Sequence, residues 1–312
     1  MKEVKNLSTF RNSEILGDTM NTLSKTLALS VALSCLSVAS PTHAQDAPGP
    51  GAQTQVPASE RDQLFPSVAP LKPVVKNDGG FFGIAAISIG TEFWSKYIFS
   101  NGFVAHDAPV SQTNFRLTLE GGLYVNLWGS VALADRDADP NYGDEVDYTV
   151  GYVTNFGEKD GITLDVSLSY YDLADVFVMP QGDVVQFAAE ISKPFEFNAW
   201  GTENTLSPYL RGELVFGLDG ENQGALYAHL GVRHRIQLWE NFSFNQRLTM
   251  VYDSGDFGFE SGFVPGYGAA FTWHITPTID WDIRFKATFP IGDTRDDRDT
   301  EWAIGSGIRW SF

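Results

Sequence analysis

The sequence predicts an all-β protein, a transmembrane antiparallel up-and-down β-barrel of about 12 strands. Three observations predict it. From Ile84 to Phe312 apolar and polar residues alternate with period two, in runs of about ten residues. No apolar run there reaches the roughly 20 residues that a spanning helix needs. The connections between runs alternate between short and long, as the two rims of such a barrel do.

Taken in order, residues 1–44 read as a signal peptide. Lys25 precedes an apolar stretch from Leu27 to Ala39, and Ser40-Pro41-Thr42-His43-Ala44 supplies a small residue at the expected cut. Residues 1–19 look like an upstream extension, with Met20 as an alternative start. A lipoprotein cut before Cys35 is the rival reading, although Ala32-Leu33-Ser34 is only a loose lipobox. Residues 45–80 are rich in Pro, Ala, Gln and Gly without periodicity, and read as a disordered periplasmic linker. Residues 81–312 form the barrel.

Within it the alternation marks strands over 84–97, 112–120, 122–133, 145–156, 161–172, 183–193, 204–217, 224–238, 241–253, 266–275, 278–290 and 301–312. The eleventh is the clearest. Ile279, Trp281, Ile283, Phe285, Ala287 and Phe289 share one face, against Asp280, Asp282, Arg284, Lys286 and Thr288. Short connections fall at Gly121, 157–160, 239–240 and 276–277, whereas 98–111, 134–144, 173–182, 254–265 and 291–300 are longer and acidic, placing them outside. Two connections blur this asymmetry, since 194–203 is long for a turn and 218–223 short for a loop.

A soluble barrel or sandwich also alternates, but it packs its apolar face inward. Here the apolar-face aromatics gather at strand ends. Phe242, Trp273, Trp281 and Trp310 lie on the turn side, and Tyr170, Phe216, Tyr252, Tyr267, Phe289 and Trp302 on the loop side, giving two girdles. Glycine, alanine and charges of both signs recur on the polar face, which suits a crowded wet lumen. Phe312 closes the last alternating run and resembles the signal read by the outer-membrane assembly machinery. The expected location is the outer membrane of a Gram-negative bacterium, with lipids and lipopolysaccharide as partners.

Composition narrows the function. Of 21 Lys and Arg and 39 Asp and Glu, residues 1–44 hold four and three, so the mature chain carries 17 − 36 = −19. Such a surface repels phosphate backbones and excludes nucleic acid as a partner. The single cysteine, Cys35, lies in the expected leader, so the mature chain has neither disulfides nor a cysteine metal site.

Ser95-Lys96-Tyr97-Ile98-Phe99 with Gly102, followed by Gly122-Leu123-Tyr124-Val125-Asn126-Leu127-Trp128-Gly129-Ser130, resembles the opening strands of the TorF-type porins. Glu145-Val146-Asp147-Tyr148 with Gly151-Tyr152 is similar to their next strand. The resemblance covers roughly 84–172 by motif, and departs where that family's Arg-Gly is Ser100-Asn101-Gly102 here. It implies passive transport and brings no catalytic residues.

The residues themselves show no nucleophile elbow, zinc-protease motif or phosphate loop. His229 and His274 face the expected lumen and His234 faces out, with no serine beside it in sequence. Asp135-Arg136-Asp137-Ala138-Asp139-Pro140 has proline where a calcium loop needs glycine. No cofactor, metal or enzymatic activity is therefore expected. The expected pore-lining residues are Arg116, Arg211, Glu213, Arg233, Arg247, Arg284, Lys286 and Glu190, joined by Arg235, Arg309, Glu92, Glu120, Asp165, Asp280 and Asp282. Charged rings of this kind set ion preference in a narrow pore, or brace a plugged barrel as a web of ion pairs. The leading expectation is a porin-like channel for passive diffusion of small hydrophilic solutes. A plugged structural or surface-interaction barrel is the alternative, with a lipid-acting hydrolase behind it.

Overall fold

The computed structural model describes residues 83–135, 143–156, 161–173, 183–218, 224–255 and 260–312. The expected leader 1–44, the linker 45–80 and most of the acidic stretch after Asp135 lie outside the described residues. The strands are β1 (Ile84–Trp94), β2 (Tyr97–Ile98), β3 (Val104–His106), β4 (Val110–Leu119), β5 (Leu123–Ala132), β6 (Glu145–Phe156), β7 (Ile162–Asp172), β8 (Val184–Ser192), β9 (Phe195–Ala199), β10 (Thr202–Gly217), β11 (Ala225–Trp239), β12 (Phe242–Asp253), β13 (Gly262–Thr276), β14 (Ile279–Thr288) and β15 (Glu301–Ser311). One helical turn, α1, covers Thr294–Asp297.

Twelve of these strands close into a barrel in the order β1-β4-β5-β6-β7-β8-β10-β11-β12-β13-β14-β15, with β15 pairing back onto β1. Every neighbour is antiparallel and next in the chain around the ring, so no barrel strand presents a free edge along its paired length. The twelve match the runs read from alternation. Their ends shift: β13 starts at Gly262 instead of 266, and β1 stops at Trp94 instead of 97.

Register explains the two-sidedness. Arg211 sits opposite His229 and Glu190, while Leu210 sits opposite Leu230 and Ile191. His229 is 0% exposed, whereas Leu210 and Leu230 are 54% and 65% exposed. Odd positions of β10 and β11 thus point inward and even positions point out, and the rule holds around the ring. Leu127, Val150, Leu168, Leu248, Ile283 and Ile304 all stand exposed on the outside.

The connection 194–203 is not a loop. Ser192 pairs with Tyr209 and Phe195 with Leu206, so β8 and β9 keep one register across Lys193-Pro194. The hairpin ends in Trp200-Gly201, both at positive φ (54° and 75°), which is the requirement of a tight two-residue turn matched to strand twist. A bulky residue at that φ is strained. Thr202 Oγ1 donates to Ala199 O at 2.8 Å and secures the turn.

Residues 95–109, of which 95–97 were expected as strand and 98–109 as part of an outer loop, turn into the loop-side mouth. β2 and β3 form a separate two-stranded sheet there. Tyr97, Ile98 and Phe99 are buried in one apolar cluster with Trp94, Trp128, Tyr171, Leu173, Val184, Val215, Tyr227, Val251 and Val264. These partners come from strands all around the ring.

Candidate functional site: the barrel interior

Three levels can be distinguished inside the barrel. The uppermost is the hairpin plug. Tyr97 Oη donates to Glu145 Oε2 at 3.0 Å, and Lys286 Nζ to Ile98 O at 2.8 Å. At the hairpin tip, Arg298 donates to Asn101 O at 2.8 Å and pairs with Asp253 at 2.7 Å. At its base, Lys96 bridges Asp107 at 2.7 Å and Glu301 at 2.9 Å. Those two hydrogen bonds, Asp107 first, hold the Lys96 ammonium above the ordinary lysine range.

The middle level holds most of the residues expected to line a pore. Arg211, Arg233 and Arg247 project from β10, β11 and β12 around the Tyr209 ring. Arg233 makes a two-pronged pair with Glu190 (2.8 and 2.7 Å), its guanidinium 4.0 Å from the Tyr209 centroid. Arg211 pairs with Glu213, which also accepts from Gln186 Nε2 at 2.8 Å. Arg247 donates to Thr249 Oγ1 at 2.8 Å. Arg211 and Arg233 are each matched by a carboxylate, so this wall carries less positive charge than the sequence pattern implies.

Two strands beyond β12, on β14, Arg284 is held by Asp282 and Glu92. Lys286 lies 4.7 Å from the Trp94 ring. Arg116 lies 3.7 Å from the Tyr124 ring, and Tyr124 Oη donates to Asp165 at 2.8 Å. Glu120 is not part of this interior: it lies exposed in the turn after β4.

A repeated packing unit underlies these contacts. A Cβ at Gly151 would lie 2.3 Å from the Tyr124 ring, one at Gly231 2.5 Å from Tyr209, and one at Gly305 2.6 Å from Trp94. Each ring lies against a glycine of the adjacent strand, and each carries a cation over its face. The glycines keep bulky rings against the wall.

At the lowest level Ser243 Oγ donates to His274 Nε2 at 3.3 Å, His274 Nδ1 to Asp280 Oδ1 at 2.6 Å, and Arg309 to Asp280 Oδ2 at 2.8 Å. The order is that of a serine nucleophile, its base and an orienting acid. Yet Ser243 is only 1% exposed, and Asn245 Nδ2 donates to the same Oγ at 3.3 Å. The serine is enclosed by its neighbours, and the chain ties β12, β13, β14 and β15 together. Sequence reading missed it by searching beside the outward His234, which bonds Asn204 (2.9 Å) and Gln246 (3.0 Å) instead. Among the described residues, no three His, Cys, Asp or Glu side chains are arranged to hold a metal ion.

Residues 83–251 match the model of a family described as a bacterial protein of unknown function (Gcw_chp). No curated protein matches the chain. Among solved structures it is similar to the NanC porin, at 12% identity, covering 72% of this chain and 98% of that one with a TM-score of 0.46. It is also similar to the KdgM porin solved with disordered oligogalacturonate (6% identity, 73% and 99% covered, TM-score 0.45). A third is an outer-membrane channel from Pseudomonas putida F1 (11% identity, 77% and 100% covered, TM-score 0.44).

Proposed function

The chain belongs to a family of bacterial proteins of unknown function (Gcw_chp), and from that premise we propose that it is a porin-like channel of the Gram-negative outer membrane, passing small hydrophilic solutes by diffusion. The observation that carries the reading is the inversion of the barrel's two faces. Leucines, isoleucines and valines stand exposed around the whole outside, while arginines, glutamates and aspartates fill the inside. A contiguous apolar belt of that extent has no counterpart on a protein surrounded by water. In a bilayer the belt meets lipid, the girdle aromatics meet the headgroups, and the long loops meet lipopolysaccharide. The likeness of the first strands to the TorF-type porins supports the same reading. Transport of this kind needs no catalytic group.

The hairpin plug and the ion pairs favour a second reading, a structural barrel that passes nothing. Swelling of liposomes carrying the refolded protein decides between them. Swelling in small sugars or amino acids at a rate above empty liposomes supports the channel. No swelling, with or without the hairpin, leaves the structural barrel.

A further inference from the structure

The mouth hairpin is a folded unit distinct from the barrel ladder. Its internal bonds are its own: Phe99 N donates to Phe103 O at 2.8 Å and Gly102 N to Phe99 O at 3.1 Å. β2 and β3 pair with each other and add no strand to the barrel ladder. Beyond the apolar cluster that Tyr97, Ile98 and Phe99 join, side chains tie it to the wall, and its two ends bond the barrel through the backbone, Ser95 N donating to Ile304 O and Leu133 N to Pro109 O, both at 2.8 Å. Lys96 spans its base, Lys286 holds Ile98, and the tip is held by Arg298.

The tip contact differs from the others. Arg298 follows α1 in the last loop, and that loop is anchored to β13 through Thr294 Oγ1, which donates to Phe263 O at 3.2 Å. From there the guanidinium reaches both Asp253 of β12 and the Asn101 carbonyl. The Arg298 and Asp253 side chains are 1% and 0% exposed, and Asn101 is 1% exposed. A charge-assisted contact enclosed in this way is lost as a whole when one partner leaves. The structure holds the hairpin seated with this contact made, and withdrawal would break the Arg298–Asn101 hydrogen bond.

We propose that residues 95–109 are a gate that closes the outer mouth, and that Arg298 is the latch that sets how long it stays closed. This rests on the channel reading, since a gate needs a path to close.

Three proteins in a Cys35→Ser background test it: the parent chain, a variant with residues 97–106 replaced by a short Gly-Ser linker, and Arg298→Ala. Heat-modifiable migration checks that each is folded. Two readouts are taken, mean current in planar bilayers and labelling of Ser88→Cys by an impermeant maleimide on intact cells. Ser88 sits opposite Arg116, below the hairpin, so reagent reaches it from outside only through the mouth.

The gate requires the linker variant to carry about tenfold more mean current than the parent and to label at Ser88→Cys where the parent does not. Arg298→Ala should keep the parent's unit conductance and raise its open fraction about tenfold, with Arg298→Lys in between. A parent that conducts and labels as well as the linker variant overturns the gate and leaves the channel standing. A linker variant that labels while Arg298→Ala behaves as the parent overturns the latch. A folded linker variant that neither conducts nor labels overturns the channel itself.

Discussion

The ring of Tyr209 lies against Gly231, its partner across the β10–β11 ladder, so closely that a Cβ there would stand 2.5 Å from the ring. The glycine makes a recess in the wall, and the recess decides where a large side chain can rest. Gly231→Ala should displace Tyr209, and with it the Arg233 guanidinium above it. We expect a loss of about 1–3 kcal/mol in urea unfolding. Gly212→Ala is the control, because nothing lies within 4 Å of a Cβ there. Equal losses at the two positions would show that the recess is incidental.

The ion pairs make a selectivity experiment with two opposite signs. In the linker variant, Glu190→Gln leaves Arg233 without its two-pronged partner and should move the reversal potential toward anions. Arg211→Ser together with Arg247→Ser should move it toward cations. Shifts of the same sign, or none, would mean that these residues brace the wall without facing the permeating ions.

The base of the hairpin supplies a pH dependence. Lys96 is held above the ordinary lysine range by Asp107 and Glu301. A base with a raised value stabilises the closed state fully below the ordinary lysine pKa of about 10.4, and that contribution is lost as pH rises through the raised value. The open fraction should therefore be flat across neutral pH and climb only in alkali. Asp107 is well exposed, so solvent screening keeps the effect modest. Lys96→Met should raise the neutral open fraction and abolish the alkaline climb. An alkaline climb that survives Lys96→Met would assign it to another group.

The outward face gives a fourth test. Leu230 is exposed near the middle of β11. Leu230→Arg should cost about 2–4 kcal/mol in a folding titration in lipid, as a charge facing hydrocarbon does. Leu230→Ala, which keeps the face apolar, should cost far less. If the two cost the same, this face does not meet lipid.

The twelve barrel strands were legible because each has two chemically opposite faces, and period two exposes that contrast directly. The inward direction of Arg211, Arg233 and Arg247 followed from the same parity. Their partners did not: Glu190 lies 43 residues from Arg233, and only the register of β8 on β10 and of β10 on β11 brings them together. The hairpin plug was missed for a different reason. Tyr97 prolonged the alternation of β1 and was read as strand, and what followed was assigned to an outer loop by its length. A signal was present, since Ile98, Phe99, Phe103 and Val104 make a cluster too apolar for a loop in water. The extra strand β9 was hidden by Lys193-Pro194, which interrupts the pattern while leaving the register intact.

That unbroken register has a mechanical consequence. The hairpin of β8–β9 and β10 extends several residue pairs past the end of β7, and it carries Phe195, Phe197 and an 87% exposed Trp200 on one side of the barrel only. Aromatic rings of this kind seek the level of the lipid headgroups. In a membrane, the setting proposed above, a longer aromatic anchor on one flank favours an inclined barrel, tipped toward the side of Trp200.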